Sequence, residues 1–190
     1  MNCYCDITLL PDAESNLGFL WEKVYTQVHL ALVEQQDAGV SKVAISIPGY
    51  GDKPFPLGNK LRLLANNESD LEKLELAKWL NRLQDYCHFT NVKPVPATEV
   101  FVNFSRKQFK TNPERLARRR AKRHNESLEQ ALSYYKNMDE QVSKLPFIQV
   151  KSLSNNSRFP LFIEKTNQLQ RLESEFNCYG LSKTATVPWF

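Results

Sequence analysis

The chain has 190 residues, 42% of them hydrophobic and 11% aromatic, with 25 Lys+Arg against 21 Asp+Glu. That apolar content can fill the core of one large domain or two small ones, which excludes an intrinsically disordered chain. No apolar run approaches the roughly 18 residues of a membrane span, and the opening MNCYCDITLLPD has neither the basic nor the long apolar region of a signal peptide, so a cytoplasmic protein is expected.

In chain order, Cys5, Ile7 and Leu9 alternate with Tyr4, Asp6 and Thr8, the period of a half-buried strand. A helix follows over 15–36, with Leu17, Leu20, Trp21, Val24, Val28, Ala31 and Leu32 as its apolar stripe. The β-branched run 42–47 reads as a strand stopped by Pro48-Gly49, and 49–58, rich in glycine and proline, as an exposed loop. A strand is expected over 60–65. Ser69-Asp70-Leu71-Glu72 then fits a capping box opening a helix through Leu83, with a short strand over 87–92. This β-α-β-β-α-β order is the ferredoxin-like pattern, shared with RNA-recognition modules. The prolines at 94 and 96 mark a boundary, so the expected division is 1–95 and 96–190.

The second half opens with an extended segment over 100–105. A helix then starts at Asn112-Pro113, a good cap followed by a good first residue. Another helix is expected over 127–143, then strands over 147–151 and 160–164 and an aromatic tail. The fold class expected is therefore α+β: a ferredoxin-like (RRM-like) N-terminal domain plus a smaller C-terminal domain carrying an arginine-rich helix.

The formal charge of +4 conceals a bipolar distribution. Arg106, Lys107, Lys110, Arg115, Arg118, Arg119, Arg120, Lys122 and Arg123 fall within 19 positions, opposed only by Glu114, while the rest of the chain carries a net −4. At 100° per residue Arg115, Arg118, Arg119, Lys122 and Arg123 share one face, with Arg120 at its edge and Ala117 and Ala121 opposite. Solvated faces usually mix Glu with Lys in i,i+4 pairs. A one-signed arginine face points to a polyanion, and nucleic acid is the first partner to consider.

Other features read two ways. His29 flanks the first helix's stripe, where a histidine is either a satisfied boundary residue or a group titrating near neutrality. Arg106 and Gln108 are surface residues or readers of base edges. Ser152 and Ser154 suit an ordinary polar loop, and Phe159 suits a core or a platform for a base. Four cysteines without a C-x-x-C pair, three histidines without ligand spacing and no carboxylate cluster lead us to expect neither metal nor cofactor.

Six segments together resemble one family: VHLALV with His29, VAISIP, SRKQFKTNPERLARRRAKRH, LPFIQVKSLSNNSRFPLFI, CYGLSK and the closing VPWF. They resemble, in order and over nearly the whole chain, the type I-F CRISPR-associated endoribonuclease that cuts repeat RNA (pre-crRNA) into guide units. The resemblance implies a catalytic His29, with Ser152 as partner near the cut and Tyr179 orienting the imidazole. It implies that Arg106 and Gln108 read bases in the hairpin's major groove, and that Arg115, Arg118, Arg119, Lys122, Arg123 and His124 grip phosphates. Phe159 would stack at the base of the stem, and Ser154 and Asn155 would hold RNA near the scissile phosphate. Ala117 stands where relatives can carry arginine, and Asn155 replaces a hydroxyl residue.

The implied reaction is metal-independent attack of the RNA's own 2′-hydroxyl on the next phosphate, at the base of the stem. It leaves a 2′,3′-cyclic phosphate, and the product stays bound within a type I-F effector complex. The alternative is a non-catalytic module that binds and protects an RNA hairpin, which leaves His29, Ser152 and Tyr179 without a joint role.

Overall fold

The computed structural model describes residues 1–109, 113–136, 143–152 and 157–190. Strand β1 (Cys3–Leu9) places Cys3, Cys5, Ile7 and Leu9 inward, as its alternation requires. Helix α1 (Leu17–Gln35) begins at Asn16, whose Oδ1 accepts from Phe19 N at 3.0 Å and satisfies one of the amides a helix start leaves open. Its buried face is Leu20, Trp21, Val24, Tyr25, Val28, Ala31 and Leu32. Tyr25 belongs to that face and Leu17 lies at its margin, a one-residue adjustment to the expected stripe.

The next elements are β2 (Val40–Ser41), β3 (Val43–Ser46) and β4 (Lys60–Ala65), the last matching its expected bounds. The helix expected through Leu83 is instead three short pieces: α2 (Glu68–Glu72), α3 (Leu76–Trp79) and a 3₁₀ turn at Asn81–Leu83. Asn67, not Ser69, precedes α2, and no side chain caps it. Glu75 takes φ 46°, in the left-handed region, between the first two pieces, as the N-cap of α3. On an unbroken helix Leu74 and Leu80 would point about 120° apart. The break lets both be buried, at 1% and 0% exposure.

Strands β5 (Cys87–Phe89) and β6 (Lys93–Pro94) complete a sheet of order β3-β4-β1-β5, with β6 also on β1 and every pairing antiparallel. The prolines read as a boundary thus sit partly in a sheet. Beyond them come β7 (Phe101–Lys107), α4 (Pro113–His124), α5 (Leu128–Ser133), β8 (Phe147–Lys151), β9 (Arg158–Gln168), β10 (Phe176–Asn177) and β11 (Val187–Pro188). A second sheet has the order β11-β7-β9-β8, and β10 pairs with β2. The fold is mixed, with the regular structure of the described residues divided about equally between helices and strands. No helix among the described residues is long and apolar enough to cross a membrane.

Buried side chains from both large sheets and α1 form one cluster. Accordingly Met1–Lys107 and Pro146–Phe190 make one compact unit and Gln108–Leu145 another, a grouping that differs from a cut after residue 95. In the smaller unit α4 packs on α5, and Ala117 and Ala131 are fully buried, small enough to let two helices approach closely. A capping box starts α5: Ser127 Oγ accepts from Gln130 N at 3.1 Å, and Gln130 Oε1 accepts from Ser127 N at 3.2 Å. The helix expected to reach 143 leaves regular form at Ser133, and its stretch over 137–142 lies outside the described residues, as does Asn112.

One buried ion pair joins the two central strands of the first sheet. Arg62 on β4 donates from Nε and Nη2 to both Asp6 oxygens on β1, at 2.7 and 3.0 Å. Its third donor group, Nη1, reaches Phe190 O at 2.7 Å, and its guanidinium lies over the Tyr4 and Phe190 rings. Lys60 stands 3.5 Å from the same carboxylate. Removing one partner of a buried pair leaves an uncompensated charge, so Arg62→Ala is expected to cost about 3 kcal/mol, the low end for such pairs because Lys60 remains. Urea unfolding checks this; a loss below about 1 kcal/mol would show that the pair is not a main tie of the sheet.

Candidate functional site

His29 lies half-buried in the last half of α1. Its Nδ1 is 2.8 Å from the backbone oxygen of Cys178. A carbonyl can only accept, so Nδ1 carries the proton and, in the neutral ring, Nε2 is left with the free lone pair. The imidazole stacks on Tyr179, with ring centroids 4.3 Å apart and planes 2° from parallel. One turn earlier on α1, the fully buried Tyr25 donates from its hydroxyl to Tyr179 O at 3.0 Å. The helix therefore holds the 178–179 segment with two side chains spaced i,i+4, through backbone oxygens at successive positions.

Gly180 makes this approach possible. Its φ is +68°, and a Cβ there would stand 2.7 Å from Ile45 Cγ1. Its carbonyl accepts from Ile45 N at 2.8 Å, which fastens the turn to β3.

Arg106, near the end of β7, extends its guanidinium over Tyr179 at 5.2 Å and over Phe159 at 5.4 Å. Burial pushes the His29 pKa below the ordinary 6.5, and the Arg106 cation acts in the same direction, while the bond to Cys178 opposes both. The ring is thus neutral at pH 7, with Nε2 able to accept a proton. Burial raises the Cys178 thiol, which stays protonated.

The structure brings His29, Tyr179, Arg106 and Phe159 into one cluster. Ser152 follows the last residue of β8, a strand packed along α1, and its amide donates to Ser157 O at 2.8 Å. Ser154 and Asn155 lie outside the described residues. Gln108 is exposed and belongs to the smaller unit.

Within that unit Arg115, Arg118, Arg119, Lys122, Arg123 and His124 are all exposed on α4. Arg118 also stands 3.4 Å from Glu114, an exposed i,i+4 pair worth only a few tenths of a kcal/mol. Arg120 differs. Its Nε is 2.7 Å from Glu126 Oε1, as an ion pair without hydrogen-bond alignment, and its guanidinium lies 3.8 Å over the Tyr134 ring. It ties α4 to the segment after it and is occupied in doing so. Among the described residues no group of three His, Cys, Asp or Glu side chains could hold a metal ion.

The residues that the sequence did not single out are Tyr25, Asn177 and Cys178. Tyr25 sits inside an apolar stripe and reads as core. Cys178 acts through its backbone, which any residue supplies; the visible signal was only Asn177 and Gly180 bracketing a turn.

The chain matches the family model for CRISPR-associated protein (Cas_Csy4) over residues 4–190. It is 37% identical over 191 aligned positions to the CRISPR-associated endonuclease Cas6/Csy4 of Escherichia coli (strain UTI89 / UPEC), covering 100% of both chains. The protein of the same name from Pseudomonas aeruginosa (strain UCBPP-PA14) is likewise 37% identical, again over 100% of both chains. A solved structure described as "Characterization of a Cas6-related gene from Pyrococcus furiosus" aligns with 98% of this chain and 99% of its own, at 11% identity and a TM-score of 0.34, too distant to bear on the fold. This chain belongs to the Cas_Csy4 family of CRISPR-associated proteins.

The environment of His29 makes a direct expectation. In an NMR titration of the free protein its midpoint should fall below the ordinary 6.5, because burial and Arg106 both disfavour the charged ring. A midpoint above that value would contradict the neutral, half-buried imidazole described above.

Proposed function

We infer that this chain is an endoribonuclease that processes CRISPR repeat RNA (pre-crRNA). Membership of the Cas_Csy4 family, with full-length relatives named as endonucleases, supports the activity. The observation that carries the chemistry is the His29 ring, fastened at Nδ1 by Cys178 and stacked on Tyr179.

In this reading His29 Nε2 takes the proton from the 2′-hydroxyl upstream of the scissile phosphate. The freed oxygen attacks phosphorus, the bond from phosphorus to the 5′-oxygen breaks, and the leaving oxygen takes up a proton. The upstream fragment ends in a 2′,3′-cyclic phosphate and the downstream one in a 5′-hydroxyl. No metal enters these steps. Ser152 holds the ribose in line for attack and Tyr179 keeps the imidazole plane, both contributions to orientation. Ser154 and Asn155 hold RNA beside the cut.

Binding is assigned to the rest. Arg115, Arg118, Arg119, Lys122, Arg123 and His124 take phosphates of the hairpin, and their exposure on one helix supports this. Arg120, committed to Glu126 and Tyr134, is left out of that set. Arg106 and Gln108 read base edges, and Phe159 stacks at the foot of the stem. The grip on the stem does not depend on the bond that is cut, so the product stays bound as one end of a type I-F effector complex in the cytoplasm. We read residues 1–95 as a ferredoxin-like domain carrying the catalytic histidine and 96–190 as the hairpin-binding part. The antiparallel order β3-β4-β1-β5, with α1 between β1 and β3 and short helices between β4 and β5, supports the first half of that reading.

Cleavage of the cognate repeat hairpin is expected to persist in EDTA. Replacing the one 2′-hydroxyl upstream of the cut by hydrogen should abolish it with binding nearly unchanged. His29→Ala should lower the single-turnover rate at least about 100-fold, the range of a general base. Binding without cleavage of any repeat hairpin would identify a protecting module instead, and full activity in His29→Ala would remove the histidine from the mechanism.

A further inference from the structure

The carbonyl that fixes His29 belongs to a tight turn that one side chain holds in shape. Asn177 ends β10, where it pairs with Val40 of β2. Its backbone amide donates to Leu181 O at 2.9 Å and its backbone oxygen accepts from Gly180 N at 2.8 Å. Its side-chain Oδ1 accepts twice more, from Tyr179 N at 2.8 Å and Leu181 N at 3.3 Å. Tyr179 O and Gly180 O are taken by the Tyr25 hydroxyl and Ile45 N. The Cys178 oxygen is turned to His29 Nδ1. With the peptide groups on either side fixed, the direction of that oxygen is set by the turn's own bonding, and Asn177 Oδ1 supplies two of those bonds.

We propose that Asn177 is a positioning residue for RNA cleavage: its carboxamide oxygen shapes the turn that aims Cys178 O at His29 Nδ1, so that the proton stays on Nδ1 and Nε2 faces the reaction. The proposal rests on the reading of His29 as the base. It needs no contact between Asn177 and RNA, and it gives an exposed side chain an effect on chemistry through one intermediary.

The physical reason is a competition between tautomers. A neutral imidazole places its proton on whichever nitrogen has the better acceptor. If the turn loosens, the Cys178 oxygen no longer faces Nδ1 and the proton can shift to Nε2, which then cannot accept one from the 2′-hydroxyl. Aspartate offers the same side-chain acceptors in nearly the same shape, whereas alanine offers none.

The test compares wild type, His29→Ala, Asn177→Ala and Asn177→Asp. Hairpin affinity and single-turnover cleavage at saturating protein are measured, and ¹⁵N-histidine NMR reads the tautomer of the ring. With three histidines in the chain, His29→Ala assigns the signal. Asn177→Ala should keep its hairpin affinity, lose at least about tenfold in cleavage rate, a fraction of what a general base supplies, and show protonation at Nε2. Asn177→Asp should restore both the rate and the Nδ1 proton. Should the alanine variant fail to fold, Asn177→Ser, with one hydroxyl for two amides, is expected to fall between. A slowed alanine variant that retains the Nδ1 proton and is not rescued by aspartate would overturn the proposal, as would an alanine variant with wild-type rate and tautomer. Failure of the underlying reading looks different: wild type leaves the hairpin uncut, or His29→Ala cuts it normally.

Discussion

A neutral imidazole has one proton and two nitrogens, and the Cys178 oxygen, 2.8 Å from Nδ1, decides which of them holds it here. That bond spans 149 positions in sequence, so helix α1 and the tail of the chain must fold together before the ring is held. Around it the constraints multiply. Tyr25 draws the next carbonyl to the same helix, Gly180 allows the chain to pass against Ile45, and Tyr179 lies flat on the ring. An imidazole so held gives up rotational freedom before substrate arrives, which is where orientation catalysis gains its advantage.

In the function proposed above, two tasks make opposite demands on charge. Phosphate binding wants many exposed cations, and a histidine base wants few near it. The exposed arginines and lysines of α4 belong to the compact unit Gln108–Leu145, and the His29 cluster belongs to the other. Arg106 lies over the cluster, and its charge adds to burial in keeping the ring neutral. Arg120 shows that membership of a basic run is not the same as carrying an exposed, unneutralised charge. Its charge is neutralised by Glu126 and its plane is covered by Tyr134.

Much of this was legible in the sequence, because period and punctuation are local. The bounds of β4 and β8 followed from β-branched and apolar runs, α1 from its apolar stripe and the start of α4 from Pro113. His29 and Tyr179, which the resemblance to the repeat-cutting family implied, lie against one another. What escaped depends on tertiary context. The break at Glu75 arises because Leu74 and Leu80 must reach the same core, and strands of two residues such as β2 and β10 exist only as partners of each other. Asn177 and the Cys178 carbonyl escaped because Asn and Gly mark a turn but not where its backbone oxygens point, and Tyr25 because its hydroxyl works from inside an apolar face.

The central claim is that the nucleophile is the RNA's own 2′-oxygen, activated at His29. Mass spectrometry of both fragments from a single-turnover digest of the cognate hairpin tests it most directly. The account requires a 2′,3′-cyclic phosphate on the upstream fragment and a 5′-hydroxyl on the downstream one. A 3′-hydroxyl paired with a 5′-phosphate would mean that water attacked the phosphorus, and would contradict it.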